Sequence, residues 1–259
     1  MKAKLTVIKI GGEIINNSEK LDSFLSDFSR LDEPKILIHG GGKIATALSA
    51  KLGIETRMHE GRRITSKENL DVVTMVYAGL INKNITASLQ SRECNAIGLS
   101  GADANTILAS KRPLKPTDYG FVGDIQSINS KVIDTFIENQ MVPIFSAICH
   151  DGKGLLLNTN ADTIATEIAI AMSAKYDTEL IYCFDKKGVL MDVNDEDSVV
   201  ENINTEGYRN LREQNVIHDG MLPKMENAFH ALNNNVSKVM IGNTNFIKNR
   251  TEAHTLLTL

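Results

Sequence analysis

Along this chain, short apolar runs rich in β-branched residues alternate with longer segments whose apolar positions recur at helical spacing. Leu5 to Ile10 predicts a strand. Ser18 to Leu31 predicts a helix, with Leu21, Phe24, Leu25 and Phe28 on one face and Ser18 as its N-cap. Lys35 to Ile38 predicts a second strand, followed by Gly40-Gly41-Gly42 and a helix running through Leu52. Ser66 to Ser91 predicts one long helix with apolar residues on more than one face. Further strands are expected at Ala96 to Leu99, Val142 to Phe145, Glu179 to Phe184 and Val236 to Ile241. Further helices are expected at Ala161 to Ala174, Thr205 to Gln214 and Pro223 to Asn233, with Pro223 at the first helical position. Asp118 to Asp124 reads as a hairpin, and Asp192 to Asp197 as a solvated acidic loop.

Nearly all-apolar strands separated by helices belong to a parallel sheet covered on both faces, so the fold class is α/β. No Pro/Gly-rich linker interrupts the pattern, and any two lobes are expected to share one continuous sheet. In such sheets ligands bind beyond the carboxyl ends of the strands. The glycines after the first and second strands fall there.

Composition adds exclusions. The chain has 259 residues, 42% of them hydrophobic, which suits a globular protein with a sizeable core. A net charge of −4 without a basic stripe argues against a nucleic-acid partner. No run reaches the length of a membrane span, and the N-terminus shows no signal peptide, so a cytoplasmic protein is expected. Cys94, Cys149 and Cys183 are widely spaced with no CxxC pair, and each reads as a small core hydrophobe.

Five constellations carry candidate chemistry. Lys9-Ile10-Gly11-Gly12 puts a cation beside exposed backbone N–H groups at a strand end, an arrangement suited to phosphate. His39-Gly40-Gly41-Gly42 allows close approach of an anion at a helix N-terminus. A P-loop fails here, because Leu37 stands where its first glycine belongs and Ile44 follows Lys43. The dinucleotide pattern fits on paper through Gly40, Gly42, Ala45 and Glu60, but Glu60 does not close a clean second strand. In Gly61-Arg62-Arg63 an arginine offers a planar fork for a carboxylate. Asn158, Asn160 and Asp162 lead into a helix, and capping accounts for one such polar residue more readily than three. In His218-Asp219-Gly220-Met221-Leu222-Pro223-Lys224, the lysine stands in a first helical turn, where a cation opposes the macrodipole and suggests an anionic ligand.

In this order, over nearly the whole chain, these motifs resemble the N-acetylglutamate kinases of the amino-acid kinase superfamily. Leu99 to Asp103, Gly120 to Gly123 and Asp185 to Leu190 fall on corresponding segments. The resemblance implies an open αβα sandwich with a mostly parallel central sheet. It implies an N-terminal lobe (1–174) for the acylglutamate and dimer contact, and a C-terminal lobe (175–259) for the nucleotide. The implied reaction moves the ATP γ-phosphoryl group to the side-chain carboxylate of an N-acylated glutamate, in arginine biosynthesis. Lys9 and Lys224 would flank the phosphoryl group, with Asp162 holding both ammonium groups. Gly11, Gly12, Gly41 and Gly42 would supply N–H donors. Arg63 would take the α-carboxylate, and Asn158 and Asn160 would contact the substrate. Asp185, Lys187, Gly188, Val189 and Leu190, with Val216, Ile217 and His218, would line the nucleotide pocket. Mg²⁺ would be held mainly by ATP oxygens, and no protein metal site is expected.

Some residues depart from the family pattern. His254-Thr-Leu-Leu257 replaces a closing Gly-Thr strand, and Lys186 and Lys187 stand where less charged residues are usual. His150 and Arg62 replace apolar residues, which keeps N-succinyl-L-glutamate open beside the N-acetyl substrate. The extra N-terminal helix of arginine-inhibited relatives has no counterpart before Leu5, so a homodimer insensitive to arginine is expected. A non-catalytic amino-acid/nucleotide sensor of the same fold is the alternative from another class. Two phosphoryl-flanking lysines in one chain argue for turnover.

Overall fold

The computed structural model describes residues 2–59, 62–218 and 220–259. In chain order it opens with β1 (Lys4–Ile10), α1 (Gly12–Asn16), α2 (Ser18–Ser29), β2 (Lys35–His39) and α3 (Gly42–Lys51). The hairpin strands β3 (Arg57–His59) and β4 (Arg62–Ile64) lead into α4 (Lys67–Val73), a π-helical stretch (Thr74–Ile81) and α5 (Asn82–Gln90). Then come β5 (Ala96–Leu99), β6 (Ile107–Lys111), β7 (Gly123–Ile128), α6 (Ser130–Glu138), β8 (Val142–Ser146), β9 (Ile148–His150) and β10 (Leu156–Asn158). α7 (Ala161–Ser173), β11 (Asp177–Cys183), β12 (Asn202–Ile203) and α8 (Thr205–Glu213) follow. The chain closes with α9 (Met221–Asn233), β13 (Lys238–Gly242), α10 (Thr244–Lys248) and β14 (Thr255–Leu257).

The chain forms two compact units, Met1–Ile36 with Ala165–Leu259, and Leu37–Ile164. The first strand therefore groups with the C-terminal segment, a correction to the linear division at residue 174. The cause is strand pairing: β1 runs parallel to β11 over its whole length, from Lys4 opposite Asp177 to Ile10 opposite Cys183.

In the first unit the strand order is β12-β14-β13-β11-β1, parallel except where β14 turns back against β13. Leu5, Val7, Ile8, Leu180, Ile181, Val239 and Ile241 are fully buried, as a sheet covered on both faces requires. The closing strand survives without the glycine turn. The Thr255 hydroxyl accepts the Val189 N–H at 2.8 Å, and the His254 ring stacks on Phe246 with centroids 4.1 Å apart. α2 begins one residue earlier than its expected cap implies. Asn17, not Ser18, caps it, its side chain accepting the Lys20 N–H at 2.9 Å.

In the second unit β2, β8 and β5 run parallel, with Leu37 opposite Ile144 and Leu99 opposite Phe145. A separate sheet, β10-β9-β6-β7, and the β3–β4 hairpin were not expected as sheets, because strands of three to six residues carry too little alternation to read. The Asp118–Asp124 stretch supplies the link between β6 and β7. Its Gly120, at φ +70°, lies so close to Thr65 that a Cβ there would fall 2.2 Å from the Thr65 carbonyl. The long helix is present as α4, π stretch and α5 in succession, starting from Ser66, whose hydroxyl caps it at Asn69 N–H. All three cysteines are buried, and none of them forms a disulfide. Among the described residues no helix is long and apolar enough to cross a membrane.

Candidate functional site

In the second unit the polypeptide leaves β2 into the three glycines and at once starts α3. Gly41 adopts φ +153°, ψ 22°, a conformation open to glycine alone, and a Cβ on it would lie 2.3 Å from Ile81 Cδ1 and 3.0 Å from Tyr77 Cδ1. The π stretch thus packs directly on the loop. α3 has no side-chain cap and no acid in its first turn. Neither the Gly41 nor the Gly42 N–H meets an acceptor among the described residues. The positive end of this helix is left open, which is how backbone binds an anion.

The β3–β4 hairpin places Arg63 beside that end. Its side chain is buried, 8% exposed, and donates to the Gly42 carbonyl at 3.0 Å, the Thr46 hydroxyl at 2.7 Å and the Thr56 hydroxyl at 3.2 Å. Among the described residues no carboxylate lies within ion-pair distance of it. A buried guanidinium held by three neutral oxygens keeps its full charge available to an incoming carboxylate. Tyr77 adjoins it: burial pushes the phenol pKa up, and the Arg63 charge and hydrogen bond oppose that shift. Gly61 and Glu60, which entered the sequence argument, lie outside the described residues.

Thr65, just beyond the end of β4, is fully buried and accepts the Asn158 Nδ2–H at 3.0 Å. Asn158 therefore belongs with Arg63 in one connected group. Asn160 has a different task. Its Oδ1 accepts the N–H groups of Asp162 at 2.7 Å and Thr163 at 3.3 Å, so it is the N-cap of α7, and its side-chain oxygen is committed to the fold. That gives Asn160 a capping task which its expected place among the substrate contacts did not include. Asp162 stands in the first turn of α7.

In the first unit Lys9 occupies the next-to-last position of β1, opposite Tyr182. Its charge opposes the burial that pushes the neighbouring Cys183 thiol pKa up to about 12. Gly11 corrects the expectation of a phosphate donor. Its N–H donates to the Cys183 carbonyl at 2.9 Å, and a Cβ there would lie 3.3 Å from Phe184 Cβ. A side chain at Gly11 would crowd Phe184 by a few tenths of an ångström, and Gly12, the first residue of α1, is left as the donor candidate of the pair.

α9 starts two residues before the expected position. Gly220 precedes it without a side-chain cap, Met221 is its first residue, and Pro223 is third, still inside the turn whose N–H groups have no helical partner. Lys224 follows in a first turn that carries no acid. Asp219 lies outside the described residues. Of the expected nucleotide residues, Ile217 is buried in the core, and Val216 and Ile217 both direct their N–H groups to the Leu211 carbonyl. Gly188 is packed against Thr255 and Val199, where a Cβ would come within 2.6 Å of Thr255 Oγ1, while Val189 donates its N–H to that hydroxyl. Leu190 pairs with Val199, and Asp185 is exposed in the preceding bend. Lys187 and Lys186 form ion pairs with Asp197 and Glu196. The acidic run is thus a hairpin tip paired to two lysines, not a loop held by solvent alone.

His150 does not offer a free ring. Its Nε2 lies 2.8 Å from Asn105 Oδ1, and its Nδ1 accepts the Gly152 N–H at 3.2 Å. Arg62 precedes Arg63 on one strand and so projects to the opposite side of the hairpin. Sequence reasoning missed Thr46, Thr56 and Tyr77, since nothing in their local sequence links them to Arg63.

Residues 4–243 match the amino acid kinase family, and the chain belongs to that family. It is 54% identical to the acetylglutamate kinase of Cytophaga hutchinsonii over 92% of this chain and 90% of that protein. It is 52% identical to the acetylglutamate kinase of Phocaeicola vulgatus, over 93% and 94%. Among solved structures, smu.665 from Streptococcus mutans UA159 superposes with a TM-score of 0.80 at 29% identity, over 98% of each chain.

Proposed function

We propose that this chain transfers the γ-phosphoryl group of ATP to the side-chain carboxylate of N-acetyl-L-glutamate, giving N-acetylglutamyl 5-phosphate in arginine biosynthesis. The observation that carries the reading is the buried Arg63, with no carboxylate in ion-pair distance among the described residues, beside the open N-terminus of α3. The names of relatives at 52–54% identity agree with it.

An acylglutamate is a dianion at neutral pH, so no strong base is needed to make the nucleophile. The chemical demand is positioning and neutralisation of charge as the phosphoryl group moves. In this reading Arg63 takes the α-carboxylate in a two-point grip, and Gly41 and Gly42 direct N–H groups at anionic oxygens. Asn158 orients the acylated amine. Lys9 and Lys224 neutralise the transferring group, and Asp162 is the positioning carboxylate. Gly12 donates to phosphate, and Asp185, Lys187 to Leu190 and Val216 to His218 line the nucleotide. Mg²⁺ would be held mainly by the ATP phosphate oxygens. Among the described residues no three His, Cys, Asp or Glu side chains gather into a metal cage.

The reading includes a homodimer. Met75 and Leu80, each 53% exposed on the π stretch, support it as apolar surface suited to a second copy. The test is a hydroxamate assay on the two acylglutamates. N-acetylglutamate is expected to be the better acceptor, because the His150 ring nitrogens are already engaged. Preference for N-succinylglutamate would overturn the acyl assignment, and ligand-stabilised melting without phosphate release would overturn the kinase reading.

A further inference from the structure

His39 is the last residue of β2, fully buried, immediately before the three glycines. Around it the hydrogen-bond directions are forced. The Ile144 carbonyl accepts only, and it lies 2.8 Å from Asn82 Nδ2, so the NH₂ end of that amide faces it. The same nitrogen lies 3.0 Å from His39 Nε2, which must then be the acceptor of its second hydrogen. A neutral ring accepting at Nε2 carries its proton on Nδ1, and Nδ1 faces the Gly40 carbonyl at 3.0 Å. Flipping Asn82 would set Oδ1 against the Ile144 carbonyl, so the direction does not reverse. Gly98 leaves room for this amide, since a Cβ there would fall 2.2 Å from Asn82 Oδ1.

A trans peptide is rigid and planar, its C=O and N–H pointing in opposite directions within that plane. Holding the Gly40 oxygen therefore fixes the direction of the Gly41 N–H, which points away from His39. Without such a hold, a peptide between two glycines rotates at little steric cost. We propose that Asn82 and His39 are positioning residues: a directional relay from Ile144 through Asn82 and His39 to Gly40 keeps the Gly41 N–H aimed at the anionic acylglutamate. The inference rests on the proposed kinase reading and goes beyond it, because both side chains are fully buried and that reading gives neither a contact with the reactants.

The test uses the full chain labelled with ¹⁵N-histidine, the His39 signals being identified by their loss in His39→Asn. The expected tautomer has the proton on Nδ1 and a bare Nε2, the less common form for a free imidazole. A protonated Nε2 would overturn the relay. In kinetics, His39→Leu and Asn82→Leu are expected to lower kcat/KM for the acylglutamate by roughly 10- to 100-fold. KM for ATP should stay within about twofold in both variants. His39→Asn, whose amide reaches the Nδ1 position, should recover much of the loss. Wild-type kinetics in the folded leucine variants, or an equal loss toward ATP, would overturn the proposal. If a leucine variant does not fold, the tautomer of the unaltered chain still decides it. If the unaltered chain phosphorylates no acylglutamate, the kinase reading falls, and the ring signals separately report whether the relay exists.

Discussion

Two helix starts in the second unit are built in opposite ways. α7 is sealed by Asn160, whose side chain takes two of its leading N–H groups. α3 starts from Gly41 with no cap, a conformation only glycine adopts and a lysine where an acid would be favourable. The same division runs through the rest of the chain. Asn17, Ser66, Asn129, Asn204 and Asn243 cap α2, α4, α6, α8 and α10, whereas α9 follows Gly220 uncapped and carries Lys224 in its first turn. A missing cap costs about 1 kcal/mol of stability. A bound anion offsets that cost. Sealed ends stabilise the fold, and in the proposed reading the open ends of α3 and α9 receive anions.

The severest way to break this comparison is to remove a cation beside an open end. Lys224→Ala and Lys9→Ala are expected to lower kcat by about 10²- to 10⁴-fold with a smaller change in KM, measured in steady-state phosphoryl transfer. Unchanged turnover in both would mean that these positions are merely solvated. Next in size is Arg63→Lys. A point charge replaces the fork, and KM for the acylglutamate should rise roughly 10- to 100-fold with kcat less affected.

Gly41→Ala closes the open end sterically. Its Cβ would meet Ile81 and Tyr77, so unfolding should become easier by about 1–3 kcal/mol and acylglutamate binding should weaken with it. A denaturant titration equal to wild type would show that the loop rearranges freely. Asn160→Ala probes the sealed end. The expectation is a loss of about 1 kcal/mol, restored by Asn160→Asp, with little change in acylglutamate KM. A large KM effect would reinstate Asn160 as a substrate contact.

The gentlest probe is pH. Burial holds His39 neutral, with its pKa lowered from 6.5 to about 4. The unfolded chain therefore binds more protons than the native one between those values. The stability from burying a neutral ring is fully present above pH 6.5 and is lost as pH falls toward 4. Thermal melts should be flat in this respect above neutrality and decline below it, and His39→Asn should remove that part of the decline.

Much of this was legible in the sequence. Strands such as Leu5 to Ile10 and Ala96 to Leu99 were readable because an unbroken apolar run between turn signals has few other uses. Lys9, Arg63, Asp162 and Lys224 stood out through a cation or acid placed beside glycines or at a helix start. Gly11 is misread, and the capping task of Asn160 unseen, for one reason: a glycine or an asparagine beside a motif looks the same whether its polar group meets a ligand or the protein. That is settled by the partner, here the Cys183 carbonyl and the first turn of α7.

By itself, the sequence determined the alternation of elements, the α/β class and the charges that single out an anion-handling protein, because periodicity and local charge are properties of neighbouring residues. Only the tertiary structure decided which helix ends stay open and which oxygens hold Arg63. Only it decided that His39, unremarkable in a glycine-rich loop, is locked by an asparagine 43 positions away. Those choices depend on hydrogen-bond partners distant in sequence. A donor's role is fixed by the acceptor that folding brings within 3 Å of it.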